Sequence, residues 1–177
     1  MVAIPHTDIL QQIDLARVRL TPDDATRVAL GQVLTPTPIA QLMAGLLQVP
    51  YSTVSLLDPG AGIGVLSAAA VTALCVRANP PKAISITACE IDARLLPQLH
   101  TTLALCQDHC VSSGIAFTST VITGDFLAFA ATHLEPMFAQ ATPAYNIAIL
   151  NPPYRKIQTA SPERRLLSQF GVEVSNL

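Results

Sequence analysis

Beyond position 50 the chain settles into a rhythm of short apolar runs separated by stretches of helical periodicity. "VSLLD" (54–58) reads as a buried strand and is followed by the glycine turn "PGAGIG". A helix of small residues is expected over about 65–77. "AISITACE" (83–90) reads as a second strand and "AFTSTVIT" (116–123) as a third, with a helix between them over about 92–111. Pro97 fits that helix only in its first turn or at a kink. After a short helical or irregular piece, "YNIAIL" (145–150) is the fourth strand. Strands alternating with helices predict an α/β fold, a parallel sheet with crossover helices on its faces.

Ahead of the first strand, Thr21-Pro22-Asp23-Asp24 offers a capping hydroxyl, a proline at the first helical position and early acids, and Gly31 supplies a stop. A short helix is expected there. Thr37-Pro38 repeats the start signal, and Ile39, Leu42, Met43, Leu46 and Leu47 then form one apolar stripe at helical spacing. "GQVLTPTP" (31–38) is the proline-punctuated loop between the two. The expected organisation is residues 1–50 as N-terminal helices and a segment packing on the sheet, 51–154 as the core, and 155–177 as a tail.

Composition narrows this picture. The 177 residues suffice for one domain with a core. Half are hydrophobic and 12% are charged, against about 25% charged in an ordinary soluble domain, so the chain is mostly interior or is covered by something larger. A net charge of −2 gives no bulk attraction to nucleic acid. Nucleic-acid affinity would need a local patch, and Arg155, Lys156, Arg164 and Arg165 form the only basic cluster, read as a solvated helix face before a phosphate contact. The start of the chain has no basic-then-apolar targeting pattern, and the longest apolar stretch (65–76) is far too short to span a membrane, so a cytoplasmic location is expected. Cys75, Cys89, Cys106 and Cys110 suggest no disulfide framework. Cys106 and Cys110, one helical turn apart beside His109, lack a second ligand pair, so no metal site is expected.

The chemistry lies at the carboxyl ends of the strands, where ligands bind in such sheets. Asp58 stands there with its glycine loop, then Glu90, Asp125, and the run Asn151-Pro152-Pro153-Tyr154. Gly60, Gly62 and Gly64 let the backbone approach a ligand closely, although tight turns need glycine anyway. No basic residue prepares for a pyrophosphate, and Asp58 suits a cationic group such as an ammonium. Glu90 could accept both hydroxyls of a ribose or merely precede a helix. Asp125 could accept from an exocyclic adenine amine or serve a turn after Gly124. An ammonium, a ribose and an adenine without phosphate describe S-adenosylmethionine. The Asn151 side-chain carbonyl and the Pro152 backbone carbonyl are two acceptors whose direction the prolines fix. Converging on an –NH2 group, they would aim its lone pair at a sulfonium methyl, with Tyr154 stacked on the planar substrate.

At these residues the chain resembles the S-adenosylmethionine-dependent methyltransferases with an NPPY motif, above all the adenine-N6 DNA methyltransferases of bacterial restriction–modification systems. The resemblance covers about 28–154, and "GQVLTPTPIAQLM" precedes the glycine loop as in families whose methionine-binding segment is N-terminal. It implies a Rossmann-like methyltransferase fold. Thr35 and Pro36 would line the methionine end, and Asp58 and Gly60, with Gly62 in the same loop, the amino-acid portion. Glu90 would take the ribose hydroxyls, Ile91 the adenine face, and Asp125 and Phe126 the adenine edge. Asn151, Pro152, Pro153 and Tyr154 would handle an adenine flipped out of double-stranded DNA, because its amine is inaccessible inside the duplex. Family members continue through three more strands and a recognition region, so the fold is expected to be truncated after its fourth strand. The rest of a longer protein or a protein partner would complete the sheet. Two other readings stay open: a non-catalytic remnant or subunit acting through a partner, and an NPPY enzyme acting on a glutamine amide or a ribosomal-RNA guanine.

Overall fold

The computed structural model describes residues 8–19, 34–134, 145–152, 161–169 and 171. Four parallel strands form one sheet: β1 (Thr53–Asp58), β2 (Ala83–Glu90), β3 (Ala116–Thr123) and β4 (Ile147–Ala148). Their order is β3-β2-β1-β4. The chain winds outward from β1 through β2 to β3, then returns to the other side of β1. The reversal lies between β1 and β4, and that is where an open sheet of this kind leaves a crevice beyond its strand ends.

Strand register decides which side chains form the core. Val54, Leu56 and Asp58 of β1 alternate onto one face and are fully buried, in line with Ile84, Ile86 and Ala88 of β2. Ser55, Leu57, Ser85 and Thr87 point the other way and are only partly covered. The buried face is roofed by α1 (Ile9–Arg19), α3 (Val65–Cys75) and α4 (Leu96–Ser112). α3 is central: every residue from Val65 to Val71 is buried, so it has no polar face at its start. Pro97 sits in the first turn of α4, where its missing N–H costs nothing. The α4 helix begins four residues later than expected, because Asp92 instead closes a turn onto the Leu95 amide (3.0 Å).

Three expectations are corrected here. α2 (Thr37–Gly45) forms at its expected start, but its apolar stripe is split: Met43 and Leu47 pack against the core, while Ile39, Leu42 and Leu46 are 47%, 64% and 71% exposed. The buried side is Thr37, Ala40 and Ala44, small enough to let α2 lie close against the small residues of α3. Thr37 does not cap the helix either; Pro36 holds the cap position, and the Thr37 hydroxyl donates to Asp14 Oδ1 at 2.6 Å. Second, α1 has no counterpart in the sequence reading, yet Ile9, Leu10 and Ile13 put one turn of it in the core. Third, the β4 ladder is two residues long instead of six. Asn146 extends it with its side chain: Oδ1 accepts from the Ser55 amide and Nδ2 donates to the Thr53 carbonyl, both at 2.8 Å. The helix expected after Thr21 lies outside the described residues. The chain beyond β3 forms α5 (Phe126–Leu134), and α6 (Pro162–Gln169) packs against it. Among the described residues, no helix is long and apolar enough to cross a membrane.

Gly64 joins the loop after β1 to α3 with φ +84°, and a Cβ built there would lie 2.9 Å from Thr102 Cγ2 and 3.1 Å from Leu99 Cδ1 of α4. Gly45, at the end of α2, has open space around it. Gly64→Ala is therefore expected to lower the unfolding free energy by about 2 kcal/mol, whereas Gly45→Ala should raise it by about 0.5 kcal/mol. Urea denaturation of both variants checks the contrast; equal effects would contradict the packing described for Gly64.

Candidate functional site

Each strand delivers its last side chain to the same edge of the sheet, and the loops there are stitched to one another. The glycine loop leaves β1 at Asp58 and is tied to the end of β2 twice. The Ala61 amide donates to the Cys89 carbonyl at 2.9 Å, and the Gly62 amide donates to Glu90 Oε2 at 2.7 Å. The other Glu90 oxygen accepts from the Asp92 amide at 2.7 Å, and the Glu90 carbonyl accepts from Gly124 at 2.9 Å. One residue thus fixes the loop after β1, its own turn and the turn after β3. Burial pushes the Glu90 carboxyl above its usual range; the amides of Asp92 and Gly62 oppose this, and the charge of Asp92 adds to it. Asp92 is held below the usual range by the Arg94 guanidinium, which reaches both of its oxygens at 2.8 and 2.6 Å.

Asp58 is wholly buried beneath the loop. Its Oδ2 accepts from the Ser67 hydroxyl at 2.7 Å, while Oδ1 has no hydrogen-bond partner among the described residues. Burial raises its pKa to about 6, against the lowering effect of Ser67 and nearby amides, and Glu90 adds repulsion. Two neighbouring buried acids, both disfavoured as anions, make this edge a seat for positive charge. Directly above the loop, Gly60 is exposed, with no atom within 4 Å of where a Cβ would stand.

The segment ahead of α2 closes the site from the other side. A Cβ on Gly62 would meet Leu34 Cδ2 at 3.1 Å, so Leu34 rests on the glycine loop. Its neighbour Thr35, 7% exposed, accepts a hydrogen bond of 3.1 Å from Asn151 Nδ2. Residues 116 apart in sequence therefore meet across the crevice between β1 and β4. Pro36 and Pro152 are exposed beside them, and Ile91 presents an apolar side chain that is 52% exposed.

Asp125 has a structural task the sequence reading did not assign. Its Oδ1 accepts from the amides of Leu127 (2.7 Å) and Ala128 (3.1 Å), which makes it the N-terminal cap of α5, with Phe126 half-buried as the first helical residue. Pro153 and Tyr154 lie outside the described residues, as do Arg155 and Lys156. Among the sites that sequence reasoning missed are Ser67, Leu34 and Asn146; nothing in their spacing announces a partner on another element. Cys106 and Cys110 are packed in the interior, with Cys75 Sγ 3.9 Å from Cys110 Sγ, and burial pushes the Cys106 thiol up to about 12. Among the described residues, no group of three or more His, Cys, Asp or Glu side chains could hold a metal ion.

Comparison with known proteins gives a consistent picture. No family model matches the chain. It is 38% identical over 175 residues to the type II methyltransferase M.BsuBI of Bacillus subtilis, covering 97% of this chain and 34% of that protein. It is 36% identical over 157 residues to the type II methyltransferase M.PstI of Providencia stuartii, covering 89% of this chain and 30% of that one. The chain spans about a third of the length of these curated relatives. Among solved structures, a Listeria monocytogenes protein assigned as a class I S-adenosylmethionine-dependent methyltransferase superposes with a TM-score of 0.57 at 17% identity. That match covers 95% of this chain and 44% of the other, and it places the fold in the Rossmann-like class expected from the sequence.

The Asp58 carboxyl sets a pH dependence. Its folded pKa, about 6, lies above the ordinary 3.8, so the folded state binds the proton more tightly. The Asp58 contribution to stability is greatest at low pH, falls as pH rises from about 4 to about 6, and is level above that, a loss on the order of 3 kcal/mol. Glu90 contributes in the same direction and Asp92 in the opposite one. Urea midpoints measured across this range should therefore fall more for the wild type than for Asp58→Asn. Parallel profiles would show that Asp58 is ionised at no cost.

Proposed function

The chain belongs to the type II methyltransferase family, and from that premise we propose that it is the cofactor-binding, NPPY-bearing portion of an enzyme that methylates adenine N6 in DNA. The enzyme would serve a restriction–modification system and take its methyl group from S-adenosylmethionine. The observation that carries this reading is the contact of Asn151 with Thr35, which joins the NPPY run to the segment ahead of the glycine loop at the point where strand order reverses.

The residues present fit the cofactor. S-adenosylmethionine is a cation that supplies an electrophilic methyl group, and the buried acids at the ends of β1 and β2 favour positive charge. Gly60 leaves its backbone open to the amino-acid portion, with Gly62 and the Asp58 charge behind it. Thr35 and Pro36 border the methionine end. The Glu90 carboxylate, fixed by the amides of Gly62 and Asp92, stands at the end of β2 where it would take the ribose hydroxyls. Ile91 offers an exposed apolar surface to the adenine face, and Asp125 and Phe126 take its edge.

The target is an adenine extruded from the duplex, since its amine is otherwise out of reach. Asn151 Oδ1 and the Pro152 carbonyl accept the two N–H bonds of that amine and turn its lone pair out of the ring plane, with Pro153 and Tyr154 supporting the base. Positioning lowers the barrier, without a covalent intermediate on the protein.

Incubating the complete protein that carries this chain with S-adenosylmethionine and duplex DNA, then digesting the DNA for mass spectrometry, is expected to yield N6-methyladenine. Asn151→Ala should cut the rate by roughly 100-fold or more. A methylated cytosine, or an Asn151→Ala variant as fast as the wild type, would overturn the assignment.

A further inference from the structure

We infer that Thr35 is a positioning residue for Asn151, anchoring its carboxamide across the crevice before the substrate arrives. The inference rests on the reading of Asn151 given above and adds a part for Thr35 beyond its place at the methionine end of the cofactor. An asparagine side chain has two nearly isosteric orientations, related by a half-turn that exchanges its oxygen and its –NH2. Only one of them presents an acceptor to an amine; the other sets donor against donor. Here Nδ2 is bonded to the Thr35 hydroxyl at 3.1 Å, which puts Oδ1 at the other end of the carboxamide. A hydroxyl can accept from Nδ2 or donate to Oδ1, so what Thr35 supplies is an anchor for the carboxamide, here in the orientation that turns Oδ1 away from the hydroxyl.

The support is built to be steady. Thr35 is 7% exposed, so solvent does not compete freely for its hydroxyl. Leu34 beside it is seated against the glycine loop at Gly62, and Gly62 is itself held by Glu90. Asn151, for its part, follows a strand of only two paired residues and gains from an anchor across the crevice. A carboxamide held in advance has less rotational freedom to lose when the substrate arrives.

Thr35→Val keeps the shape and removes the hydroxyl; Thr35→Ser keeps the hydroxyl. The full 177-residue chain, labelled with 15N, reports directly on the Asn151 –NH2, whose signals are identified by their loss in Asn151→Asp. In Thr35→Val the solvent exchange of that –NH2 is expected to quicken about fivefold or more, as for a lost hydrogen bond. The kcat for adenine methylation should fall about tenfold while KM for S-adenosylmethionine stays within about threefold, and Thr35→Ser should restore both kcat and slow exchange. Unchanged –NH2 exchange in Thr35→Val would overturn the inference, and so would a raised KM with kcat intact, which would make Thr35 a cofactor contact only. If the complete protein forms no N6-methyladenine, the functional reading fails by itself; the exchange measurement still decides whether Thr35 holds the amide.

Discussion

The carboxylate of Glu90 is the joint on which the ligand edge of this sheet depends. One oxygen holds the loop leaving β1 and the other holds the turn leaving β2, while the backbone carbonyl holds the turn leaving β3. Three loops with no regular structure of their own are thereby set relative to one another by a single side chain. The glycine loop, so placed, packs against α4 at Gly64 and supports Leu34 at Gly62. Through Leu34 and Thr35 the arrangement reaches Asn151, on the far side of the sheet reversal. The site is continuous because each contact positions the next.

That joint is held against an electrostatic cost. Asp58 and Glu90 are both buried, both disfavoured as anions, and close enough to repel. A chain with 12% charged residues spends two of its acids in this unfavourable way at one place. Apolar residues of similar volume would serve stability at least as well. The arrangement makes sense as a field prepared for a cationic ligand, whose charge would offset the cost that the folded protein already bears.

Much of this was legible in the sequence, and the failures share a cause. The second and third strands were read to the residue, and the first to within one, because strands in a parallel sheet appear as apolar runs bounded by turn chemistry. The strand-end residues were legible as soon as the topology was, since a parallel sheet sends all its carboxyl ends to one edge. Periodicity could not tell which side of α2 would be buried: the large residues Ile39, Leu42 and Leu46 outvote Ala40 and Ala44 in any count of hydrophobicity. Close helix packing reverses that vote. Asp125 was read for its chemistry and found also to cap a helix, because one carboxylate can do both and the sequence shows only its presence. The bonds of Ser67 to Asp58 and of Asn151 to Thr35 are products of folding that no local pattern records.

The short ladder of β4 gives the crevice two walls of unequal durability. The wall on β1, β2 and their helices is pinned by full strand registers and a continuous core. Among the described residues, the β4 wall is held by two paired residues, the flanking amides of Asn146 and Ile149, the Asn146 side chain, Ile149 in the core and the bond of Asn151 to Thr35. Its contacts with β1 and with Thr35 close long loops, and loop-closure entropy makes such contacts slow to form. The crevice thus has two differently built walls, one of long strand registers and one of a short ladder fastened by side chains.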